Sequence, residues 1–101
     1  MSIVIIGGNE RMVCLYKDIC SNYGCEAKVF VKEKGAFKKK IGCPDLLVLF
    51  TNTVSHGMVN GAMEEARRNN IPVARIRSSS ASALRQALSM HYALRSSNIA
   101  T

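Results

Sequence analysis

The chain has no tryptophan, two prolines, three tyrosines and three phenylalanines in 101 residues, so aromatic stacking and proline-rich recognition have little material to work with. Long hydrophobic runs are missing too. None approaches the ~20 residues needed to span a bilayer, and no membrane partner is expected. Met1-Ser2-Ile3-Val4-Ile5-Ile6 is too short for a secretory core and lacks a basic leader, which points to a cytoplasmic location. Cys14, Cys20, Cys25 and Cys43 contain no C-x-x-C pair, so a zinc ribbon or thioredoxin-like motif has no support. In a cytoplasmic chain they read as free thiols. Acidic residues are scarce: seven, against fourteen Lys and Arg, a net charge of +7. Such a balance favours anionic partners.

What is present is organised around Leu46-Leu47-Val48-Leu49-Phe50. Five consecutive apolar residues bounded by Pro44-Asp45 and a polar run predict a strand buried on both faces. Thr51 to His56 then forms a loop at its carboxyl end, and Ser55 is placed to cap a helix beginning near His56. Ile3 to Ile6 is a second unalternating strand, ending in Gly7-Gly8-Asn9. Asn9 suits an N-cap, and Met12, Val13, Tyr16, Ile19, Cys20 and Tyr23 then keep helical spacing. Gly24 is the expected left-handed terminator.

Ala27, Val29 and Val31 alternate with Lys28, Phe30 and Lys32, the period of an edge strand with one wetter face. Glu33 to Gly42 is basic, with room for a turn or two of helix. Met58, Val59, Ala62, Met63 and Ala66 share one face of the helix after His56, which Asn69-Asn70 closes. Pro72 opens a fourth strand, Val73 to Ile76. Arg77-Ser78-Ser79-Ser80 leads into a last helix with Ala81, Leu84, Ala87, Leu88 and Tyr92 on one side. Residues 1–95 form one α/β domain and 96–101 a C-terminal tail.

Alternating strands and helices imply parallel pairing with right-handed crossovers. The two all-apolar strands belong in the centre and the other two at the edges. The expected fold is a small three-layer Rossmann/flavodoxin-like open sheet of four parallel strands in the order 2-1-3-4. Four strands leave surface exposed, which suggests a homodimer.

In such a sheet, ligands bind beyond the carboxyl ends where the strand order reverses. The expected site therefore takes Gly7, Gly8 and Asn9 with nearby Arg11, then Thr51, Asn52, Thr53, Ser55 and His56, and finally Arg77, Ser78, Ser79 and Ser80. Glycines bring backbone N–H groups close to an anion at a helix N-terminus. Hydroxyls beside an arginine suit a phosphate or carboxylate. The functional expectation is a ligand-binding or sensory module for an anionic molecule.

A catalytic role would fall to His56 as a proton carrier. No acid in the site loops is placed to orient it, so no hydrolase triad is expected and no catalytic residue is assigned. Two alternatives stand beside this reading. The Lys34 to Lys40 run around Phe37 could follow a nucleic-acid backbone. The other is a haem-binding or redox-sensing protein using Cys43 or His56. Cys43-Pro44 has the form of a haem-ligating dipeptide, with His56 or a methionine as a second ligand, although the topology places Cys43 and His56 at opposite ends of one strand. An exposed cysteine could respond to oxidation. No other metal site is expected.

The signatures Ile5-Ile6-Gly7-Gly8, Phe50-Thr51-Asn52-Thr53-Val54-Ser55-His56 and Ser78-Ser79-Ser80-Ala81 resemble those of the bacterial family called domain of unknown function 2325. The resemblance covers nearly the whole chain. It implies a small cytoplasmic bacterial protein that shares the three-loop site, and it carries no reaction or catalytic residue with it.

Overall fold

The computed structural model describes residues 2–31 and 41–100, with side chains as far as His91. Four strands form one parallel sheet: β1 (Ser2–Ile6), β2 (Glu26–Phe30), β3 (Leu46–Phe50) and β4 (Val73–Ile76), in the order β2-β1-β3-β4. The helices are α1 (Val13–Asn22), α2 (His56–Asn69) and α3 (Ala81–Ala100), with a 3-10 turn over Glu10–Met12. The backbone of residues 96–100 continues α3.

The centre of the sheet follows from apolarity. Ile3 to Ile6 and Leu46 to Phe50 are all buried, because helices cover both faces and a strand in that position can tolerate no polar alternation. On one face Ile3, Ile5, Val48 and Phe50 pack with Tyr16, Ile19 and Cys20 of α1 and Leu84 and Leu88 of α3. On the other, Val4, Ile6, Leu47 and Leu49 pack with Met58, Ala62 and Ala66 of α2. Each fully buried Leu or Ile contributes on the order of 2 kcal/mol, so the two central strands anchor the fold.

Helix ends obey their caps. Ser55 accepts the Met58 N–H at 3.2 Å. Asn70 stops α2 in the left-handed conformation, φ 55°. Gly24 does the same two residues past the end of α1, with φ +72°. Asn9 is an N-cap, as expected, but of a 3-10 turn. Its side chain accepts from the Arg11 N–H and caps the 3-10 turn, so α1 proper begins four residues later. That turn takes up the change of direction between β1 and α1.

β2 differs in one residue. Lys28 is exposed, as an edge requires, but Phe30 is half-buried against the cluster that contains Ile41 and Leu49. The face expected to be wet is covered at the strand's carboxyl end. Lys32 and Lys34 to Lys40, with Phe37, lie outside the described residues.

Candidate functional site

All three loops leave the carboxyl ends of their strands, and hydrogen bonds tie them together there. The Gly8 N–H, from the β1 loop, donates to the Thr53 hydroxyl of the β3 loop at 2.6 Å. That hydroxyl donates in turn to the Phe50 carbonyl at 3.1 Å. The Tyr16 hydroxyl accepts from the Asn9 N–H at 3.3 Å and donates to the Ser79 carbonyl of the β4 loop at 2.6 Å. One side chain from each of two elements therefore connects all three loops.

Packing closes the same junction. Gly7 and Gly8 both hold positive φ, +94° and +95°, a conformation that side-chain-bearing residues rarely adopt. A Cβ on Gly7 would stand 2.5 Å from Val54 Cγ1 and 2.8 Å from Thr53 Oγ1. A Cβ on Gly8 would stand 2.7 Å from the Tyr16 ring. Tyr16 is fully buried and lies against Phe50 with ring centroids 5.2 Å apart. The glycines are needed because the first loop passes directly over a tyrosine and under a threonine.

This geometry changes which groups can meet a ligand. The Gly7 N–H donates to the Phe30 carbonyl at 2.8 Å, and the Gly8, Asn9 and Arg11 N–H groups have the partners named above and Asn9 Oδ1. The glycine loop shapes the rim with its backbone donors already engaged inside the chain. The same holds in part for the serines. Ser78 Oγ accepts from the Ser80 N–H at 3.2 Å, and Ser80 Oγ accepts from the Ala83 N–H at 3.2 Å as the cap of α3. Thr51 donates to the Ile76 carbonyl from both its N–H, at 2.8 Å, and its hydroxyl, at 3.4 Å. Those bonds stitch the β3 loop to the end of β4. Arg11, Asn52, His56 and Arg77 are exposed on these loops and turns, and His56 and Ala81 begin helices whose first-turn amides carry partial positive charge.

Tyr16 is the rim-joining residue that its spacing concealed. On the helix it reads as one more core position, and it is one. A buried tyrosine hydroxyl nevertheless requires a partner, and the first turns after a glycine loop are where that partner would be a loop amide or carbonyl.

The cysteines divide by exposure. Cys14 and Cys43 are exposed; Cys20 and Cys25 are buried. Burial, and then the neighbouring Cys25, push the Cys20 thiol up from 9.0 to about 11, so it stays protonated and unreactive near neutral pH. Cys43 precedes β3 and lines a cavity of about 390 Å³ with Ser2, Val4 and Lys28, whereas His56 follows the loop beyond the other end of β3. The two lie at opposite ends of that strand and cannot ligate one haem iron together. Among the described residues no three His, Cys, Asp or Glu gather in a way that could hold a metal ion, and no helix is long and apolar enough to cross a membrane.

Comparison with known proteins returns one family. Residues 2–91 match the model of the family described as an uncharacterised protein conserved in bacteria, DUF2325, and the chain belongs to that family. No curated protein and no solved structure matches it.

Proposed function

We propose that this chain is a small ligand-binding or sensory module that holds an anionic, phosphate- or carboxylate-bearing molecule at the carboxyl rim of its sheet. One observation carries the reading: the three loops are locked into a single surface by the Gly8–Thr53 and Tyr16–Ser79 hydrogen bonds. A surface fixed before the ligand arrives loses little entropy on binding.

The glycine loop acts as the floor, since its own amides are engaged. Direct contacts fall to the first-turn amides of α2 and α3, the side chains of Asn52, His56 and Ser79, and the guanidinium groups of Arg11 and Arg77. The net charge of +7 draws anions toward the molecule. Binding occurs without turnover, because no carboxylate of the site loops stands ready to orient His56.

Native mass spectrometry of the untagged protein tests this. The expected result is a small anionic molecule that co-purifies, with binding weakened about tenfold by Arg77→Ala. Absence of any bound anion, or binding indifferent to both Arg77→Ala and Arg11→Ala, contradicts it. A molecule that is bound but converted, with conversion alone lost in His56→Ala, would make the protein an enzyme.

A further inference from the structure

β2 and β4 end the sheet on its two sides, and the two edges are built differently. β2 carries exposed Glu26 and Lys28, charges of the kind that block edge-to-edge pairing. β4 has Val73, Ala74 and Ile76 half-buried, and only Arg75 exposed. Pro72 and Ile76 carbonyls accept from the Leu47 and Thr51 N–H groups at 2.9 and 2.8 Å, so the even-numbered residues of β4 face β3. By alternation the N–H and C=O groups of Val73 and Arg75 face away from the sheet, and among the described residues no fifth strand lies beside them.

Beside this edge runs a groove of about 420 Å³ between β4 and α3. Its helical wall is Ala83, Gln86, Ala87, Met90 and His91; the first four stand at i, i+3, i+4 and i+7, which is one stripe of a helix. The stripe lies next to the buried Leu84 and Leu88, and Met90 is 62% exposed. Arg75 is the one lysine, arginine or acid that lines the groove.

We infer that a second copy of this chain docks here, with β4 pairing antiparallel to its counterpart about a two-fold axis at Ala74. Backbone groups at strand spacing call for a strand, and the same strand reversed supplies them. In this register Val73 of one copy lies opposite Arg75 of the other, so the two guanidinium groups are not directly opposed, an arrangement that would destabilise the pair. Ala74 meets Ala74 in a non-hydrogen-bonded pair, where Cα atoms come within about 4.5 Å and a methyl group fits.

The axis stands perpendicular to the sheet, so both α3 helices lie on one face. Ala83 and Ala87 are small enough to let those helices approach, and Met90 of each copy fills the groove of the other. A chain of charge +7 tends to repel its own copies, and this groove is lined by a single lysine, arginine or acid, Arg75. The result is a continuous eight-stranded sheet with an isologous interface.

Sedimentation velocity on the full chain, from low to high micromolar concentration, tests the proposal. A concentration-dependent dimer is expected, and Met90→Glu raises its dissociation constant about tenfold or more by placing a charge in an apolar contact. Because Met90 is exposed in the single chain, that variant stays folded, which circular dichroism verifies. Ala74→Cys, in a Cys14→Ser, Cys43→Ser background, should form an interchain disulfide on mild oxidation, since the Cα separation falls within disulfide range. Lys28→Ala, on the opposite edge, should leave the dimer unchanged. A monomer at every concentration overturns the inference. So does a dimer that Met90→Glu leaves intact and that does not cross-link through position 74.

Discussion

The carboxyl rim and the β4 edge both present main-chain polar groups at the border of the sheet, and they treat those groups in opposite ways. At the rim, the donors of the first loop meet side chains from elsewhere: Thr53 for Gly8, Tyr16 for Asn9. At the edge, the outward groups of Val73 and Arg75 have no strand beside them among the described residues. Residue chemistry differs in the same sense. The rim carries arginines, serines and a histidine around a closed junction, while the edge adjoins an apolar groove with one charge. A region that satisfies its own backbone is finished as a scaffold and can present side chains to a small molecule. A region that does not satisfy it is complementary to another backbone.

Substitutions should separate the two regions by the size of their effect on the single chain's stability. The largest belongs to Gly8→Ala. Its Cβ would press on the Tyr16 ring at 2.7 Å from a backbone at φ +95°, and neither side can give way inside a packed core. Loss of about 3 kcal/mol or more is expected in urea denaturation. A loss below about 1 kcal/mol would mean that the rim is looser than described.

Tyr16→Phe comes next. It keeps the ring against Phe50 and removes only the hydroxyl that joins Asn9 to Ser79. About 1–3 kcal/mol should be lost, and hydrogen exchange should quicken at the Asn9 amide. An unchanged exchange rate there would show that the three loops do not depend on this bond. Ser55→Ala should cost about 1 kcal/mol through loss of the α2 cap.

The smallest effect belongs to the edge. Gln86→Lys, on the exposed stripe of α3, should move the stability of the single chain by no more than about 0.5 kcal/mol. If Gln86→Lys destabilised the single chain as much as Tyr16→Phe, the contrast between the regions would collapse.

The sequence made one of these regions more legible than the other. Order 2-1-3-4 followed from two runs, Ile3 to Ile6 and Leu46 to Phe50, that could be buried only in the middle of a sheet. Ser55, Gly24 and Asn70 announced helix ends because capping is local and short-range. The rim was legible as a set of loops but not as a network. Gly8 and Thr53 are 45 positions apart, and Tyr16 and Ser79 are 63 apart; no local rule connects them. For the same reason the engagement of the glycine amides was invisible, although a tight turn was not. Alternation puts Phe30 on the wetter face of an edge strand, and alternation says nothing about which side chain a neighbouring segment will cover. The β4 edge was hidden by brevity: four residues, one of them an arginine, carry too little pattern to announce a groove that α3 completes.

The proposed seat of a small anion is the rim, and not the groove or the amino end of the sheet. Titration of the nitrogen-15-labelled protein with inorganic phosphate and with a tricarboxylate, followed by amide chemical shifts, tests it directly. Saturable shifts are expected, centred on His56 and Gly57, on Ser79 to Ala81, and on the Asn52 side chain, all reduced in Arg77→Ala. Shifts that never saturate, or that centre on β4 and Met90 or on Cys43, would contradict it.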